Sequence, residues 1–458
     1  MPTRPVVIFM TSNGVGMGHL SRQLTTIISD EHRIKPVLFS LSGALPRIAR
    51  SHSAGELPEL HGSGIRYEYC PSRESLHLPA KGWRRKFRVF YRSYRWHPYL
   101  RDRLVALVEE VGARAVVFDG VVPYSGLLKA RKRLPGVHFI WVRRGMWQKA
   151  TPEHRLNLSK NFDLTIEPGD FAAAYDEGPT QQRNDAAKIA PISLTDVLIA
   201  STKNDARASL GLPTTGRILL LAPGSGALGS VKNTIDAIRE LVETHHSSWC
   251  IALTRQAIAR HDIKPGRNLY VLEDVYPLAR YLKAFDAAIG AAGYNSVHEL
   301  LSARVPTLLV PSLNHATDDQ RARAEGVAAL GAALISRGNL ETETADLLSD
   351  TVRFELRTAC ARLPSASGGR EAAELIYEQA RNACDYSKGR RPRAPKRPII
   401  ETRASIKRGD ISDVLFTENV PENFLNEPIP VEHIISNSST SYRKERQRIA
   451  DWLYSFDS

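Results

Sequence analysis

The sequence predicts an α/β protein with two parallel sheets, each covered by helices, and an irregular C-terminal tail. Strand-like runs alternate with helical stretches, and most of these runs are apolar throughout rather than on one face. Alternation favours parallel strands joined by helices, and continuously apolar strands are typical of a sheet covered on both sides. The predicted strands of the first half are 5–10, 35–40, 65–69, 114–118 and 137–142, with helices such as 18–30 and 99–111 between them. Those of the second half are 218–222, 249–254, 268–272, 286–290 and 306–310.

Domain boundaries follow from where these patterns stop. The segment 180–210 has no strong period and is expected to connect the domains, which gives a first domain over 1–200 and a second over 205–384. A helix over 370–383 is expected to be the last packed element. The remainder, 385–458, is basic and rich in proline, and predicts a largely irregular tail that ends in a short amphipathic helix over 443–456.

Composition indicates a globular protein that binds polyanions only locally. Of 458 residues, 42% are hydrophobic and 24% charged, and the net charge is +13. Segments 81–103 and 388–408 each carry +8, so the rest of the chain is near neutral and nucleic acid is not the expected partner. No apolar run is long enough for a membrane span, and a strand-like run begins too early to leave room for a leader peptide. The four cysteines lack C-x-x-C spacing, which predicts a reduced, metal-free cytoplasmic protein.

A glycine loop follows the first predicted strand. Gly14, Gly16 and Gly18 lead into His19 at the start of a helix. Such a loop lets a ligand approach the backbone and aims helix N-terminal amides at it. A helix N-terminus disfavours imidazolium, so His19 is expected to be neutral and able to accept a proton. A surface histidine that merely caps the helix explains the same pattern.

A second glycine loop, with Gly224 and Ser225, follows the strand 218–222. Small residues and a hydroxyl at this turn suit a diphosphate. The next unit, 285–320, reads as strand, loop, helix, strand and loop. Its candidate ligand residues are Gly293 for the turn, Asn295 and Ser296 at the helix start, Glu299 for ribose hydroxyls, and Asp319 with Gln320 after the following strand. Helix capping is the alternative role for the acidic residues.

This unit resembles the donor-binding signature of UDP-glycosyltransferases, Gly-Trp-Asn-Ser-x-x-Glu followed by an acidic residue and Gln. Gly293 to Glu299 fit with Tyr294 in place of Trp, and Asp319-Gln320 fit the pair. The chain is equally similar to the peptidoglycan N-acetylglucosaminyltransferases, which share a glycine loop that ends in His. The resemblance spans about 5–30 and 205–383.

The resemblance implies a GT-B fold, in which two Rossmann-like domains face each other across a cleft, with acceptor in the first and donor in the second. It implies that Glu299 holds the ribose, that Gly224, Ser225, Asn295 and Ser296 contact the diphosphate, and that Asp319-Gln320 contact the donor sugar. It implies inverting transfer from a UDP-sugar without a metal or other cofactor. One departure is Ala291, where the plant-type signature has a phosphate-binding His; backbone amides and Arg255 are then expected to take over that role.

The expected base for such a transfer is His19. Asp119 ends the strand run 114–118 and is expected to reach the same sheet edge as the first loop, where it would fix the tautomer of His19. Related UDP-glycosyltransferases use a similarly spaced pair, whereas the peptidoglycan-type relatives have the His without a clear Asp partner.

Segment 81–103 interleaves nine Lys/Arg with seven aromatic residues. One interpretation is an amphipathic helix whose aromatic residues pack inward, ended or kinked by Pro98. The other is a surface on which Arg84, Arg88 and Arg92 meet anionic lipid or a lipid-diphosphate acceptor, at the inner face of a membrane.

Two other functions fit the same residues. Gly16-Met17-Gly18-His19-Leu20-Ser21-Arg22 also resembles the loop of nucleotide-sugar hydrolases with this fold, in which the base activates water. A GT-B-like partner subunit without chemistry is the third reading. The length of the first domain favours transfer over hydrolysis, and the joint presence of His19, Glu299 and Gln320 counts against the third.

Overall fold

The structure is a computed structural model. It describes residues 4–12, 17–30, 32–72, 84–223, 231–246, 248–255, 268–273, 275–312 and 317–383, without the side chains of 84–93, 231–234, 245 and 255. Several predictions therefore lie outside the described residues: those on Gly14, Gly16, Gly224, Ser225, on the side chains of Arg84, Arg88, Arg92 and Arg255, and on the tail 385–458.

The first domain contains a seven-stranded parallel sheet. Its strands are β1 Val6–Thr11, β2 Lys35–Ser40, β3 Arg66–Tyr69, β4 Ala113–Asp119, β5 His138–Val142, β6 Leu164–Pro168 and β7 Ala187–Ile189, in the order β3-β2-β1-β4-β5-β6-β7. The middle strands β1 and β4 are buried nearly throughout. Apolar side chains pack on both faces of this sheet, which is why the strand runs carry no polar face.

The second domain contains a six-stranded parallel sheet. Its strands are β8 Arg217–Ala222, β9 Trp249–Arg255, β10 Leu269–Glu273, β11 Ala287–Ala291, β12 Thr307–Val310 and β13 Leu334–Ile335, in the order β10-β9-β8-β11-β12-β13. The predicted α/β class and the two sheets are confirmed. The strands β6, β7 and β13 were not predicted; β7 and β13, three and two residues long, are too short to show a period.

The described helices cover both sheets. They are α1 Gly18–Ser29, α2 Leu45–Ser53, α3 Arg84–Val111, α4 Ser125–Arg131, α5 Lys203–Ser209, α6 Val231–His245, α7 Tyr294–Ser302, α8 Gln320–Ala329, α9 Leu340–Leu348, α10 Asp350–Cys360 and α11 Gly368–Asn382. Helix α3 does not end at Pro98 but runs through it. None of the described helices is both long and apolar enough to cross a bilayer.

The last described helix, α11, returns to the first domain. Ala372, Ile376 and Ala380 are buried in the same apolar cluster as β1 and α1. Gln379 also contacts His138 at 2.8 Å. The chain therefore crosses between the domains twice, once through the segment before β8 and once before α11, and the predicted boundary at 384 stays a prediction.

Strand order creates one crevice in each sheet. In the first domain, successive strands from β1 to β3 are added toward one edge of the sheet and those from β4 onward toward the other, so the strand order reverses between β1 and β4. In the second domain the same reversal lies between β8 and β11. Loops that leave the carboxyl ends of such strand pairs diverge, and open α/β sheets bind ligands in the gap. The loops that lead to α1 and α7 leave from these two points.

Candidate active site

The end of β4 lies beside the end of β1. Thr11 pairs with Asp119 in the parallel register, and the Ser12 amide donates to the Asp119 carbonyl at 2.9 Å. The chain then turns at Gly120, where an added Cβ would lie 2.4 Å from the Phe118 ring and 2.9 Å from Ser12. A glycine is required there by this close approach, and the Asp119 side chain is thereby aimed at the start of α1.

His19, Asp119 and Arg22 form one hydrogen-bonded group. His19 Nδ1 lies 2.6 Å from Asp119 Oδ1. The Arg22 guanidinium donates to both carboxylate oxygens, at 3.0 Å from Nε and 2.6 Å from Nη2. Nη2 also lies 2.8 Å from His19 Nδ1. Because a carboxylate only accepts, we assign the Nδ1 proton to the bond with Asp119, which leaves Nε2 as the nitrogen that can accept a proton.

Burial and charge set the protonation of this group. Burial lowers the pKa of His19, and Arg22 and Arg144 lower it further, while Asp119 opposes them. Burial alone would raise the pKa of Asp119, but Arg22 and His19 outweigh it and hold that pKa below its ordinary value. The result is a neutral imidazole oriented by an ionised carboxylate, the arrangement of a general base.

The start of α7 faces this group from the second domain. The first intrahelical bond runs from the Val297 amide to the Gly293 carbonyl, so the amides of Tyr294, Asn295 and Ser296 precede it, and no described side chain caps this end. Bare amides at a helix N-terminus favour an anion. The arrangement suits a diphosphate.

Glu299 lies in the second turn of α7. Its carboxylate is half-buried, and among the described residues no group donates a hydrogen bond to it. Burial raises the pKa of Glu299 to about 8. A half-buried carboxylate that has no partner among the described residues is less favourable than one in water, and hydroxyl donors of a ligand would stabilise it.

Asn295 bonds across the domain boundary. Its Nδ2 donates to the Gly18 carbonyl at 3.3 Å, and its Oδ1 accepts from Arg22 Nη1 at 3.2 Å. The Asn295 side chain therefore links the beginnings of α1 and α7. Because the side chain is used in these bonds, the predicted contact of Asn295 with the diphosphate is left to its backbone amide.

Tyr294, the departure from the Trp of the signature, has a structural reason. Its hydroxyl donates to the Gly169 carbonyl at 2.9 Å and accepts from the Ile192 amide at 3.0 Å. Both partners belong to the first domain. A tryptophan N–H can donate but cannot accept, so it could not form both bonds.

The pair after β12 has one capping and one packing role. Asp319 accepts from the Ala322 amide at 3.0 Å and caps α8, as the capping alternative predicted. Gln320 is 6% exposed, and its Oε1 accepts from the Ser312 amide at 3.1 Å. Its Nε2 lies 3.9 Å from where a Cβ on Gly293 would be, so it borders the start of α7. Contact of either residue with a donor sugar stays a prediction.

A buried network of ion pairs joins the domains beside this site, and sequence reasoning missed it. Arg323 of α8 pairs with Asp170 of the first domain at 2.6 Å and with Asp318 at 3.0 Å. Arg144, which follows β5, reaches Asp318 at 3.2 Å. Asp170 and Arg144 each stand two residues after a strand and Asp119 ends its strand, whereas Asp318 lies eight residues beyond β12. Polar residues at strand ends were the signal that could have found Asp170 and Arg144.

Candidate metal ligands do not cluster in the described part of the chain: no three His, Cys, Asp or Glu side chains are grouped to hold an ion. Independence from metal stays a prediction.

Part of the chain resembles known proteins in sequence. Residues 264–376 match the glycosyltransferase family 28 C-terminal domain. A UDP-N-acetylglucosamine--N-acetylmuramyl-(pentapeptide) pyrophosphoryl-undecaprenol N-acetylglucosamine transferase of Porphyromonas gingivalis is 32% identical over 184 residues, 37% of this chain and 47% of that protein. The enzyme of the same name from Clostridioides difficile is 25% identical over 196 residues, 40% of this chain and 46% of that protein. The chain thus spans about half the length of the curated relatives it matches.

Solved structures resemble the whole two-domain body. The glycotransferase of kitacinnamycin has a TM-score of 0.55 at 19% identity, covering 82% of this chain and 100% of that one. The calicheamicin glycosyltransferase has a TM-score of 0.53 at 14% identity, over 83% and 99%. A Listeria monocytogenes UDP-N-acetylglucosamine 2-epimerase structure reaches 0.54 at 12% identity, over 82% and 95%. The chain therefore has the GT-B fold, and its second domain resembles the C-terminal domain of family 28 glycosyltransferases.

Proposed function

We propose that this protein is an inverting, metal-independent glycosyltransferase that moves a sugar from a UDP-sugar to an acceptor hydroxyl. The observation that carries the proposal is the pairing of His19 with Asp119 directly opposite the uncapped start of α7. A base with a free nitrogen faces a site suited to a nucleoside diphosphate. The match of residues 264–376 to a glycosyltransferase domain supports the same reaction.

In the proposed reaction His19 Nε2 takes the proton of the acceptor hydroxyl. The acceptor oxygen then bonds to the anomeric carbon while the bond from that carbon to the diphosphate oxygen breaks on the opposite face. Asp119 stabilises the imidazolium that forms. Negative charge that develops on the leaving diphosphate is met by the amides at the start of α7.

Strand order supports an acceptor site in the first domain and a donor site in the second. The base stands at the crevice between β1 and β4, where the acceptor would bind, and α7 leaves from the crevice between β8 and β11. Gly224 and Ser225 follow β8 in the sequence, and their proposed contact with the diphosphate lies outside the described residues. Glu299 would accept hydrogen bonds from the ribose hydroxyls, a role that suits a carboxylate with no hydrogen-bond partner among the residues the structure describes.

The proposed acceptor is a lipid-linked glycoconjugate at the cytoplasmic face of a membrane. The curated relatives are named for a pyrophosphoryl-undecaprenol acceptor. Tyr94 of α3, within the basic segment 81–103, is 70% exposed, whereas Trp96 two residues on is 1% exposed in the core. The inward-packing interpretation of the aromatic residues therefore does not hold for Tyr94.

Charge reversal tests the membrane part of the proposal. Arg84→Glu, Arg88→Glu and Arg92→Glu together should abolish sedimentation with anionic vesicles, because each basic residue near such a surface contributes about 1 kcal/mol. UDP affinity should be unchanged. Equal vesicle binding by the wild type and the triple variant would mean that the segment is a solvated helix face.

Product analysis tests the reaction itself. The full chain is incubated with UDP-N-acetylglucosamine, with and without a lipid-diphosphate sugar acceptor in detergent. Release of UDP that requires the acceptor and yields a glycosylated lipid supports the proposal. Release of free sugar without an acceptor identifies a nucleotide-sugar hydrolase, the class of enzyme whose loop the motif that includes Arg22 resembles. No turnover with any nucleotide-sugar, despite UDP binding, identifies the partner subunit.

A further inference from the structure

We propose that Arg22 is a positioning residue that holds Asp119 against His19 and joins this pair to the second domain through Asn295. The inference rests on the proposed role of His19 as the base. It goes beyond that role, because it states what keeps the pair assembled and connects it to the domain proposed to bind the donor.

The contacts of Arg22 use every side of its guanidinium. Arg22 is 3% exposed and lies in the second turn of α1. Nε and Nη2 form a two-pronged contact with the Asp119 carboxylate, and Nη1 donates to Asn295 Oδ1. The plane also lies over the Tyr294 ring, with Cζ 5.3 Å from the ring centroid. A lysine has one nitrogen and cannot make these contacts together.

Charge balance gives the contact its consequence for the base. The charged groups that act on His19 are Asp119 of β4, Arg22 of α1 and Arg144 after β5, and only Asp119 favours imidazolium. Arg22 offsets the Asp119 charge, so the carboxylate orients the ring without drawing a proton onto it. Without Arg22, Asp119 would act on His19 with its full charge.

Asn295 extends the group to the donor side. It accepts from Arg22 and donates to the Gly18 carbonyl, one residue before the base. The first turns of the two helices are thus linked by reciprocal hydrogen bonds between buried or half-buried groups. A shift of α7 relative to α1 would therefore disturb Arg22, and through it Asp119.

The test follows the protonation of His19 directly. The full chain is labelled at histidine Cε1 with carbon-13, the His19 signal is assigned by its loss in His19→Gln, and its titration midpoint is measured without any donor or acceptor. Arg22→Gln should raise this midpoint, and Arg22→Lys should raise it less. Arg33→Gln, which changes a half-buried arginine that pairs with Glu374 away from this group, should leave the midpoint unchanged.

Kinetics give the second readout. In Arg22→Gln, kcat at pH 7 should fall about 10–100-fold, the scale of a misplaced catalytic group, and recover in part at higher pH because the acidic limb of the profile moves up. An unchanged His19 midpoint in folded Arg22→Gln overturns the inference. If that variant does not fold, an unchanged midpoint and kcat in Arg22→Lys overturn it. A raised midpoint in a protein without transferase turnover keeps the inference and removes the proposed function instead.

Discussion

The starts of α1 and α7 have the same local structure, but the titratable groups compared on the two helices have pKa values shifted in opposite directions. Each follows a strand at a reversal of strand order, and each lacks a side-chain cap among the described residues. Burial lowers the pKa of His19 in the first turn of α1, and it raises the pKa of Glu299 in the second turn of α7 to about 8. His19 has Asp119 beside it, whereas Glu299 has no described partner.

The comparison distinguishes two consequences of burying a titratable group. A buried group with matched partners is held in one protonation state and orientation before any ligand arrives, which suits proton transfer. A buried group without partners is unfavourable until a ligand supplies them, which marks a binding surface. In the proposed function, the His19–Asp119 pair of the first domain would carry out the chemistry and Glu299 of the second would bind the ligand.

The largest expected effect is on turnover, when His19 or Asp119 of the first domain is replaced. His19→Ala should lower turnover about 10²–10⁴-fold, the usual cost of removing a positioned general base. Asp119→Asn should lower it less. UDP affinity, measured by calorimetry, should barely change, because the nucleotide would be held by the other domain.

His154→Ala, at an exposed histidine, is the matched control and should turn over normally. Full transferase activity in the His19 variant would show that this histidine is structural and that the base lies elsewhere.

The contact between the two regions is tested next. Arg323→Met removes the arginine partner of Asp170 and leaves Asp318 with Arg144, and loss of one member of a buried ion pair typically costs about 3–5 kcal/mol. Chemical unfolding monitored by fluorescence should show a lower midpoint. Arg321→Met, which removes an exposed pair on the same helix, should change little. Equal midpoints for both variants would contradict the network's role in joining the domains.

A smaller effect is expected on the binding side. Glu299→Ala should weaken UDP binding by about 1–3 kcal/mol, the range of a charge-assisted hydrogen bond. Glu325→Ala, at an exposed carboxylate of α8, is the control. Unchanged UDP affinity in a folded Glu299 variant would remove the ribose assignment.

The raised pKa of Glu299 adds a signature in pH. Only the ionised carboxylate accepts from both ribose hydroxyls, so wild-type UDP affinity should increase as pH rises from 7 to 9, and Glu299→Gln should show no such increase. A pKa above its ordinary value also means that the free protein loses stability as pH rises through about 8. Glu299→Gln should therefore melt higher than the wild type at pH 9, but not at pH 5.

The smallest effect is expected from removal of the tail. A chain that ends at Cys384 should keep its UDP affinity and its turnover on a soluble acceptor analogue, because α11 already completes the packing against the first sheet. Unfolding or loss of UDP binding would mean that residues beyond 384 pack on the core and that the predicted boundary is wrong.

Local sequence determined the elements and the chemical character of the loops. Continuous apolar runs predicted the strands near the middle of both sheets, because burial on two faces leaves no polar face. The first glycine loop pointed to α1, and the unit 285–320, with Gly293 at its turn, pointed to α7. His19 and Asp119 were predicted as a pair because parallel strands present their carboxyl ends at one edge, and the structure places Nδ1 2.6 Å from the carboxylate.

Tertiary structure alone decided which residues meet across the domains. Arg22, Asn295, Tyr294 and Arg323 find their partners more than a hundred residues away, and no local period encodes such a contact. Strand order set the crevices, and the packing of one domain on the other set which buried charges are paired. The sequence therefore identified the chemical groups. That His19 has a partner and Glu299 has none among the described residues depends on burial and on neighbours that exist only in the folded chain.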